Sequence, residues 1–344
     1  MRVTLHFRVE GSPDHDQVSI REAAAIVRRG GLVAFPTETV YGLGANALDH
    51  EAVLRIFEAK QRPAWDPIIV HASSLEMLRG LVREWPQKAD ILARSFMPGP
   101  ITLLLPKNSA IPSECTAGRD TVGVRIPSHP VASALIEAAG VPIAAPSANR
   151  FGHTSPTTAG HVLHDLDGRI DAILDAGPCL VGVESTVIDP MADPPVIYRP
   201  GGVTREQIES VIGPVTVAEP KIEKDVPPES LASPGLGIRH YAPRATLVLV
   251  ANEAEMTEKL QQALAEKKRV GVMRPLGWLA GADPRAASIS YDWGAWADLE
   301  TLARRVYDGL RRLDEQDVEI IFCAIPPEEG MGLAIRDRLR KAAR

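Results

Sequence analysis

Short apolar runs alternate with longer amphipathic segments along most of this chain. Residues 31–35 form an apolar run bounded by glycine and proline, which predicts a buried strand. A helix is predicted before it, over 19–29, with Ser19 as N-cap and Glu22 completing a capping box. A second helix is predicted after it, from His50 to Gln61, with Asp49 as its cap. This alternation of buried strands and helices predicts an α/β fold.

The same alternation continues to residue 213. The further strands predicted there are 67–71, 101–106, 122–127, 142–146, 171–174, 184–189 and 195–200. The further helices predicted there are 75–94, 129–139, 157–166 and 204–212. One strand departs from the apolar pattern, because Arg125 stands in the middle of 122–127.

The periodic pattern stops between residues 214 and 243, where prolines and glycines accumulate. Such a composition predicts an interdomain linker, and an irregular segment of this length is often functional. A second α/β pattern follows over 244–344 and predicts a small parallel, Rossmann-like sheet. Its predicted strands are 245–250, 269–273 and 317–323, and its predicted helices are 253–267, 297–313 and 330–342. We therefore predict a first domain over 1–213 and a second over 244–344.

Composition and charge narrow the function classes. The formal net charge is −6, with 45% apolar and 24% charged residues, which argues against a general nucleic-acid coat or a membrane-surface protein. The three cysteines are far apart and include no Cys-x-x-Cys, which fits a reducing compartment. The N-terminus is too polar for a signal peptide, and no apolar run approaches the roughly 18 residues of a membrane span. We therefore expect a cytoplasmic protein without a membrane segment.

Several cations occupy positions that a purely structural interpretation explains less well. Lys60 follows Ile56 by four residues and so lies on the apolar side of its helix. Arg125 interrupts an apolar strand, where a guanidinium either pairs or grips a carboxylate or phosphate. His71 ends a buried strand, close in sequence to Lys60 and Arg62. The alternative stays open, because Lys and Arg are also favoured at helix C-termini by the macrodipole.

Hydroxyl and amide groups follow several of the predicted strands. The segment Phe35–Asn46 presents two threonines, a carboxylate and glycines, and Ser147 to Ser155 adds two serines and Asn149. Such groups at strand ends bind phosphate or ribose, although both segments also suit ordinary polar turns. The sequence has no P-loop, no Gly-x-Gly-x-x-Gly after its first strand, no His-Glu-x-x-His and no Gly-x-Ser-x-Gly. These features favour a pocket for a small anionic ligand such as a nucleotide.

The motifs, taken in order, resemble those of the YrdC-like family, the threonylcarbamoyl-AMP synthases, in their long two-domain form. The resemblance covers nearly the whole chain. It rests on Phe35-Pro-Thr-Glu-Thr-Val-Tyr-Gly-Leu, Lys60-x-Arg62-Pro, Pro67-Ile-Ile-Val-His71, Met97-Pro-Gly-Pro-Ile-Thr102, Val-Arg125-Ile-Pro, Pro-Ser147-Ala-Asn149, Glu184-Ser-Thr186, Tyr198-Arg-Pro-Gly201 and Ser233-Pro-Gly…His240-Tyr-Ala-Pro243. The departures are Leu236, Gly237 and Ile238 in the linker signature, and Asp66 where the family often has Asn.

The resemblance implies a fold and a reaction. The fold is a YrdC-like open twisted mixed sheet with a pocket, followed by a smaller Rossmann-like parallel α/β domain. The reaction joins L-threonine, bicarbonate and ATP, with Mg²⁺, into threonylcarbamoyl-adenylate and pyrophosphate. A downstream tRNA threonylcarbamoyl-transferase complex then uses the product to modify an adenosine of tRNA, and weak direct tRNA binding is left open.

The resemblance also implies site residues. Lys60 and Arg62 are the expected catalytic residues. The expected L-threonine-binding residues are Thr39, His71, Arg125, the backbone of Ala145, and Ser185. The expected ATP-binding residues are Lys60, Arg62, Asp66, Thr121, Ser147, Asn149, Ser155 and Arg199. The linker 214–243, with His240 and Tyr241, is the expected lid.

Two other functions are compatible with parts of this pattern. A tRNA- or double-stranded-RNA-binding module without chemistry would use the same cations for phosphates, but the acidic balance and the lack of interleaved basic and aromatic residues argue against it. A carbamoyl-transfer maturation protein for hydrogenases shares a similar domain, but such proteins contain Cys-rich zinc modules that this sequence lacks.

Overall fold

The computed structural model describes residues 3–11, 13–218, 240–279 and 288–343. They form two compact units. The second unit contains the described residues from 240 onward together with two tripeptides from the first half of the chain, Gly152–Thr154 and Val181–Val183. The first unit contains the other described residues up to 218. The domain limits at 213 and 244 stay a prediction, and most of the predicted lid falls outside the described residues.

The first unit contains a mixed sheet with helices on its faces. The strands are β1 (Leu5–Arg8), β2 (Val33–Phe35), β3 (Gly42–Asn46), β4 (Val70–His71), β5 (Ile101–Pro106), β6 (Thr121–Arg125), β7 (Ile143–Ala144), β8 (Ala172–Asp175), β9 (Thr186–Asp189), β10 (Val196–Arg199) and β11 (Thr216–Val217). The helices are α1 (Pro13–Arg28), α2 (His50–Lys60), α3 (Leu75–Gly80), α4 (Gln87–Phe96), α5 (Pro130–Ala139), α6 (Ala159–Leu166) and α7 (Arg205–Ile212).

The strand order is β1-β8-β2-β3-β7-β4-β6-β5-β9-β10-β11. The sheet contains both parallel pairs, such as β4 with β6, and antiparallel pairs, such as β5 with β6, so the predicted mixed sheet is confirmed. Val70, Val124 and Leu103 belong to the main apolar core. Their neighbours in sequence, Ile69 and Leu104, belong to a small separate apolar cluster. Because side chains alternate between the faces of a strand, this small cluster marks the opposite face of the central strands.

Most predicted elements lie close to their predicted limits, and Asp49 caps α2 by accepting hydrogen bonds from the backbone of Glu51 and Ala52. The capping prediction for Ser19 is wrong, because α1 begins at Pro13 and Ser19 lies within it. The helix predicted over 75–94 is two helices, since Pro86 stands at the start of α4. Proline lacks the N–H that a helix interior needs, so it favours a helix start over continuation.

The largest local difference from prediction is β3, which occupies part of the segment expected to be a polar turn. Two of its five residues are glycines. A Cβ on Gly44 would lie 2.7 Å from the Phe35 ring and 2.8 Å from Ile143. The glycine therefore permits close packing against neighbouring strands, a requirement that local strand propensity does not reveal.

The second unit contains a four-stranded parallel sheet among its described residues. Its strands are β12 (Thr246–Val250), β13 (Val270–Pro275), β14 (Ser288–Gly294) and β15 (Ile320–Ala324), in the order β12-β15-β13-β14. Its helices are α8 (Glu253–Ala265), α9 (Leu299–Asp314) and α10 (Met331–Ala342). Every strand pair is parallel, which confirms the predicted small parallel sheet, although β14 was not predicted. Within the described ranges, no helix has both the length and the apolar character required to cross a membrane.

Candidate active site

The site is built on the central strands of the first unit. His71 ends β4 and Arg125 ends β6, and the two residues are direct partners in this parallel pair. Both side chains are buried. Their alternation with Val70 and Val124 places them on the face opposite the main core. The apolar cluster of Ile69 and Leu104 lies on that face, so the polar side chains at the strand ends lie next to an apolar surface.

Arg125 is the centre of a buried hydrogen-bond cluster. Its Nη2 donates to Glu38 Oε1 at 2.7 Å and to Thr39 Oγ1 at 3.0 Å. Its Nε donates to the carbonyl of Gly99 at 3.3 Å. Thr37 orders the turn that presents these acceptors, because its hydroxyl donates to the carbonyl of Val40 at 2.6 Å. The guanidinium is therefore held in place by acceptors from two distant segments.

Two buried polar atoms of this cluster lack hydrogen-bond partners. They are Glu38 Oε2 and His71 Nδ1. Burial, together with the nearby charge of Arg125, lowers the pKa of His71 from 6.5 to about 3. His71 is consequently neutral at pH 7. Buried polar atoms are usually paired, so two unpaired atoms beside one cation indicate a site that a ligand would complete.

Lys60 closes α2 and fixes the segment that follows β7. Its Nζ donates to the carbonyl of Ser147 at 2.5 Å and to the carbonyl of Asn149. Burial and the neighbouring charge of Arg62 hold the pKa of Lys60 well below its usual range. The lysine was predicted on the apolar side of the helix, and its 1% exposure agrees. Lys60 thus brings Ser147 and Asn149 to the end of α2.

Arg62 lies just beyond α2 in a buried ion pair. Its Nη2 is 3.0 Å from Asp66 Oδ2. The same guanidinium donates to the carbonyls of Asp66 and Pro67, at 3.0 Å and 2.6 Å. Both side chains are almost fully buried. The pair therefore fixes the short turn between α2 and β4.

Ser185 and Arg199 form another polar cluster. Ser185 directly precedes β9, and Arg199 ends β10. Ser185 Oγ lies 2.8 Å from Thr102 Oγ1. Arg199 Nη2 donates to the carbonyl and hydroxyl of Ser185 at 3.0 Å and 3.1 Å. Gly201 lies against the same backbone, because a Cβ there would be 2.4 Å from the carbonyl carbon of Ser185.

The remaining predicted site residues fall in three places. Ser155 is buried in the first unit and donates to Glu184 Oε1 at 2.6 Å. Ala145 follows β7, and its backbone N–H donates to the carbonyl oxygen of Ile69. Thr121 starts β6, four residues from Arg125 and therefore roughly 13 Å away along the strand. The structure does not bring Thr121 to the Arg125 end of the sheet.

His240 and Tyr241, the two residues named for the predicted lid, belong to the second unit. Tyr241 is buried, stacks on Tyr307 at 5.8 Å between ring centroids, and has Arg338 over its ring. His240 packs edge-on against Tyr241. Tyr241 also adopts a left-handed backbone conformation, with φ of 64°. Their role as a lid stays a prediction.

The chain is similar to known proteins over nearly its whole length. Residues 25–201 match the family profile described as "Telomere recombination" (Sua5, YciO and YrdC), and residues 203–344 match "Threonylcarbamoyl-AMP synthase, C-terminal domain". A threonylcarbamoyl-AMP synthase of Pyrococcus abyssi is 45% identical over 95% of this chain and 95% of its own length. One of Bacillus subtilis is 47% identical over 94% of this chain and 92% of its own length. The chain belongs to the threonylcarbamoyl-AMP synthase family.

A solved structure extends the likeness to three dimensions. The crystal structure of P. abyssi Sua5 complexed with L-threonine has a TM-score of 0.90 and 43% identity, over 99% of this chain and 97% of that chain. The family and the fold class predicted from the motifs are both confirmed. The chain is accordingly an enzyme of the threonylcarbamoyl-AMP synthase type.

Sequence reasoning missed four residues of this synthase site. Glu38 and Thr37 lie within the recognised motif but had no assigned role, and Glu184 and Thr102 were quoted only as parts of motifs. The signal for Glu38 was present, because a carboxylate next to Thr39 in a buried turn requires a partner. Its partner Arg125 is 87 residues away in the chain, and the sequence does not reveal that the two side chains are close in space.

Proposed function

We propose that this chain joins L-threonine, bicarbonate and ATP into threonylcarbamoyl-AMP and pyrophosphate. The observation that most supports this proposal is the buried Arg125, whose guanidinium is oriented by Glu38 and Thr39 next to unpaired polar atoms. A guanidinium oriented in this way suits the carboxylate of an amino acid. The threonine complex of the P. abyssi relative supports the same substrate.

Threonine presents a carboxylate, an amino group and a hydroxyl, and the site offers a group for each. Arg125 binds the carboxylate in this proposal. Thr39 and Ser185 offer hydroxyls nearby, and neutral His71 offers an unpaired Nδ1 that either accepts or donates according to its tautomer. The backbone of Ala145 adjoins the same strands. All these groups are buried, so water is largely excluded from the reacting atoms.

ATP brings about four negative charges, which three cations of the first unit would partly offset. Lys60 and Arg199 make hydrogen bonds to backbone carbonyls, and a carbonyl orients a cation without cancelling its charge. Arg62 is oriented by Asp66. A phosphate near Lys60 would raise the pKa of its ammonium and favour the charged form. Ser147, Asn149 and Ser155 are the further residues we assign to the nucleotide.

Magnesium enters this proposal with ATP. Mg²⁺ is normally held by one or two carboxylates, water and substrate phosphates, and it neutralises phosphate charge. The described residues contain no group of three His, Cys, Asp or Glu side chains arranged to hold a metal ion.

The proposed reaction has two bond-forming steps. The threonine ammonium gives one proton to bicarbonate, which breaks down to carbon dioxide and water. The threonine nitrogen then adds to the carbon of carbon dioxide and releases a second proton, and a carbamate forms. A carbamate oxygen then attacks the α-phosphorus of ATP, and pyrophosphate leaves. The carbamate is labile, so holding it near the nucleotide matters more than acid–base catalysis. Catalysis would then rest on positioning and charge stabilisation. The product would pass to a transferase that modifies tRNA.

Pyrophosphate release tests this function directly. We expect release to require threonine, bicarbonate and ATP together, and to be lost in Arg125→Leu. Asp14→Asn, at an exposed residue of α1, is the control. Release that persists without threonine or bicarbonate would contradict the proposal. Salt-dependent RNA binding without any release would instead support the RNA-binding alternative.

A further inference from the structure

We propose that Glu38 binds the amino group of the substrate and thereby selects amino acids at this site. The inference rests on the proposed function, because it assumes that Arg125 holds the substrate carboxylate. Glu38 belongs to the motif that begins at Phe35, but the family resemblance assigns no role to it.

The position of Glu38 is fixed before any substrate arrives. Thr37 and Thr39 flank it, and their hydroxyls lie 2.8 Å apart. The backbone N–H groups of Thr39 and Val40 both donate to the Thr37 hydroxyl at 3.2 Å. The side chain is then held by the 2.7 Å bond from Arg125. A binding group that is already oriented loses little conformational freedom when its ligand arrives.

Half of the Glu38 carboxylate is left without a partner. Oε1 accepts from Arg125, whereas Oε2 is buried and accepts no hydrogen bond. Neither His71 nor His129 donates a hydrogen bond to Oε2, and His129 accepts one at Nδ1 from the backbone of Val131. A buried carboxylate oxygen without a donor is unfavourable. A substrate that provides a donor would remove that cost.

The charges of the site match a zwitterion. Arg125 and Glu38 are opposite charges held 2.7 Å apart. In an α-amino acid, the carboxylate and the ammonium group are separated by a similar distance. In this proposal the substrate lies opposite the Arg125–Glu38 pair. Its carboxylate pairs with Arg125 and its ammonium group pairs with Glu38 Oε2, so two ion pairs lie side by side. After the carbamate forms, its nitrogen keeps one N–H that can donate to the same oxygen. The two protons that the nitrogen loses on the way to the carbamate go to bicarbonate and to the water it releases, so this role of Glu38 in binding requires no proton transfer to it.

Two other roles for Glu38 make different predictions. Glu38 would be a positioning residue if it acted on substrate only by orienting Arg125. Alternatively, Oε2 would accept from the side-chain hydroxyl of threonine. The three roles are separated by ligands that each lack one group: α-aminobutyrate lacks the side-chain hydroxyl, and the α-hydroxy analogue of threonine has a hydroxyl in place of the amino group.

The experiment compares Glu38→Gln with the wild-type protein by calorimetric titration at pH 7. Gln keeps the shape and one carbonyl oxygen, but its amide NH₂ cannot accept from an ammonium group. We expect threonine and α-aminobutyrate each to bind the variant roughly tenfold or more weakly, and the α-hydroxy analogue to bind both proteins alike. Glu58→Gln, the same change at an exposed position of α2, is the matched control. Thermal unfolding and ATP binding show whether the variant folds.

Each other outcome overturns the inference. Equal loss for threonine and the α-hydroxy analogue would show that Glu38 acts only through Arg125. A loss for threonine with none for α-aminobutyrate would place the side-chain hydroxyl at Oε2. Unchanged threonine affinity would remove Glu38 from substrate binding altogether. If the wild-type protein bound no threonine, the proposed function would fail first, which distinguishes that failure from the failure of this inference.

Discussion

Arg62 contributes to stability as well as to the proposed phosphate binding, because it forms a buried ion pair with Asp66. Removing one partner of such a pair typically costs about 3–5 kcal/mol. We expect Arg62→Ala to lower the free energy of unfolding by that amount. We also expect kcat to fall about 10²–10³-fold, as when one charge-stabilising donor is lost. Denaturant unfolding and pyrophosphate release measure the two effects.

The double variant Arg62→Met/Asp66→Asn separates these contributions. It removes both charges and leaves an uncharged pair of similar size, so we expect most of the lost stability to return. Pyrophosphate release should stay low, because the cation is still missing. Recovery of turnover along with stability would show that Arg62 has no role beyond the fold.

His71 makes stability depend on pH. Its pKa is about 3 in the folded protein, mainly because burial disfavours the charged ring, and 6.5 is the ordinary value. Between these values the unfolded chain binds the extra proton, so stability falls as the pH drops. From pH 7 to about pH 4.5 we expect the wild-type protein to lose about 2–3 kcal/mol more than His71→Asn. Equal losses in denaturant unfolding would mean that the ring is protonated in the folded state.

Site residues were predictable where the local sequence looked anomalous. Arg125 interrupts an apolar strand and Lys60 lies on the apolar side of a helix, and both are buried. Groupings across the sheet were not predictable from local pattern. The Ser155–Glu184 pair and the Thr102–Ser185 pair join residues 29 and 83 positions apart. The motif resemblance assigned Ser155 and Ser185 to the site, and the structure supplies their partners Glu184 and Thr102.

Among the elements, the position of β9 and of Ser185 just before it depends on how closely the backbone at Gly201 approaches them. A Cβ there would lie 2.3 Å from the carbonyl oxygen of Glu184 and from the backbone N of Thr186. We expect Gly201→Ala to shift Ser185 and weaken threonine binding on the order of tenfold to a hundredfold, as measured by calorimetry. Gly80→Ala is the control, since a Cβ at that end of α3 meets nothing within 4 Å. Equal effects of the two changes would contradict this account of Gly201.

Helices and strands were predicted correctly where the hydrophobic periodicity and the length of the segment indicated the same type of element. The apolar run before Pro36 became β2, and Asp49 caps α2 as its sequence suggested. β3 was missed because Gly42 and Gly44 have low strand propensity and are explained by their neighbours in space. The break between α3 and α4 was missed because the apolar period continues across it.

At the scale of the whole molecule, the second unit includes residues from far upstream in the sequence. Gly182 belongs to it, and a Cβ there would lie 2.3 Å from the Cα of Arg304 in α9. Arg311 of the same helix donates to the carbonyl of Thr154. The linear sequence does not reveal that these two tripeptides pack with the second unit, because a linear pattern cannot show which distant segments lie together.

Gly182→Ala tests this composition of the second unit. Gly177→Ala is the matched control, because both glycines have φ of 82° but a Cβ at Gly177 meets nothing within 4 Å. Both variants place alanine at the same positive φ and so carry similar backbone strain. The difference between their free energies of unfolding therefore measures the effect of the contact with α9. We expect Gly182→Ala to destabilise the protein by about 1–3 kcal/mol more than Gly177→Ala. Hydrogen exchange should locate the extra loss in α9, and equal protection of α9 in both variants would contradict this packing.

The central claim is that this chain incorporates bicarbonate and threonine into an adenylate at the Arg125 site. The most direct test is mass spectrometry of the product formed from isotopically labelled bicarbonate, threonine, ATP and Mg²⁺. We expect labelled threonylcarbamoyl-AMP from the wild-type protein, none when threonine is omitted, and none from Arg125→Leu. Pyrophosphate release without labelled adenylate, or equal labelled product from Arg125→Leu, would contradict the claim.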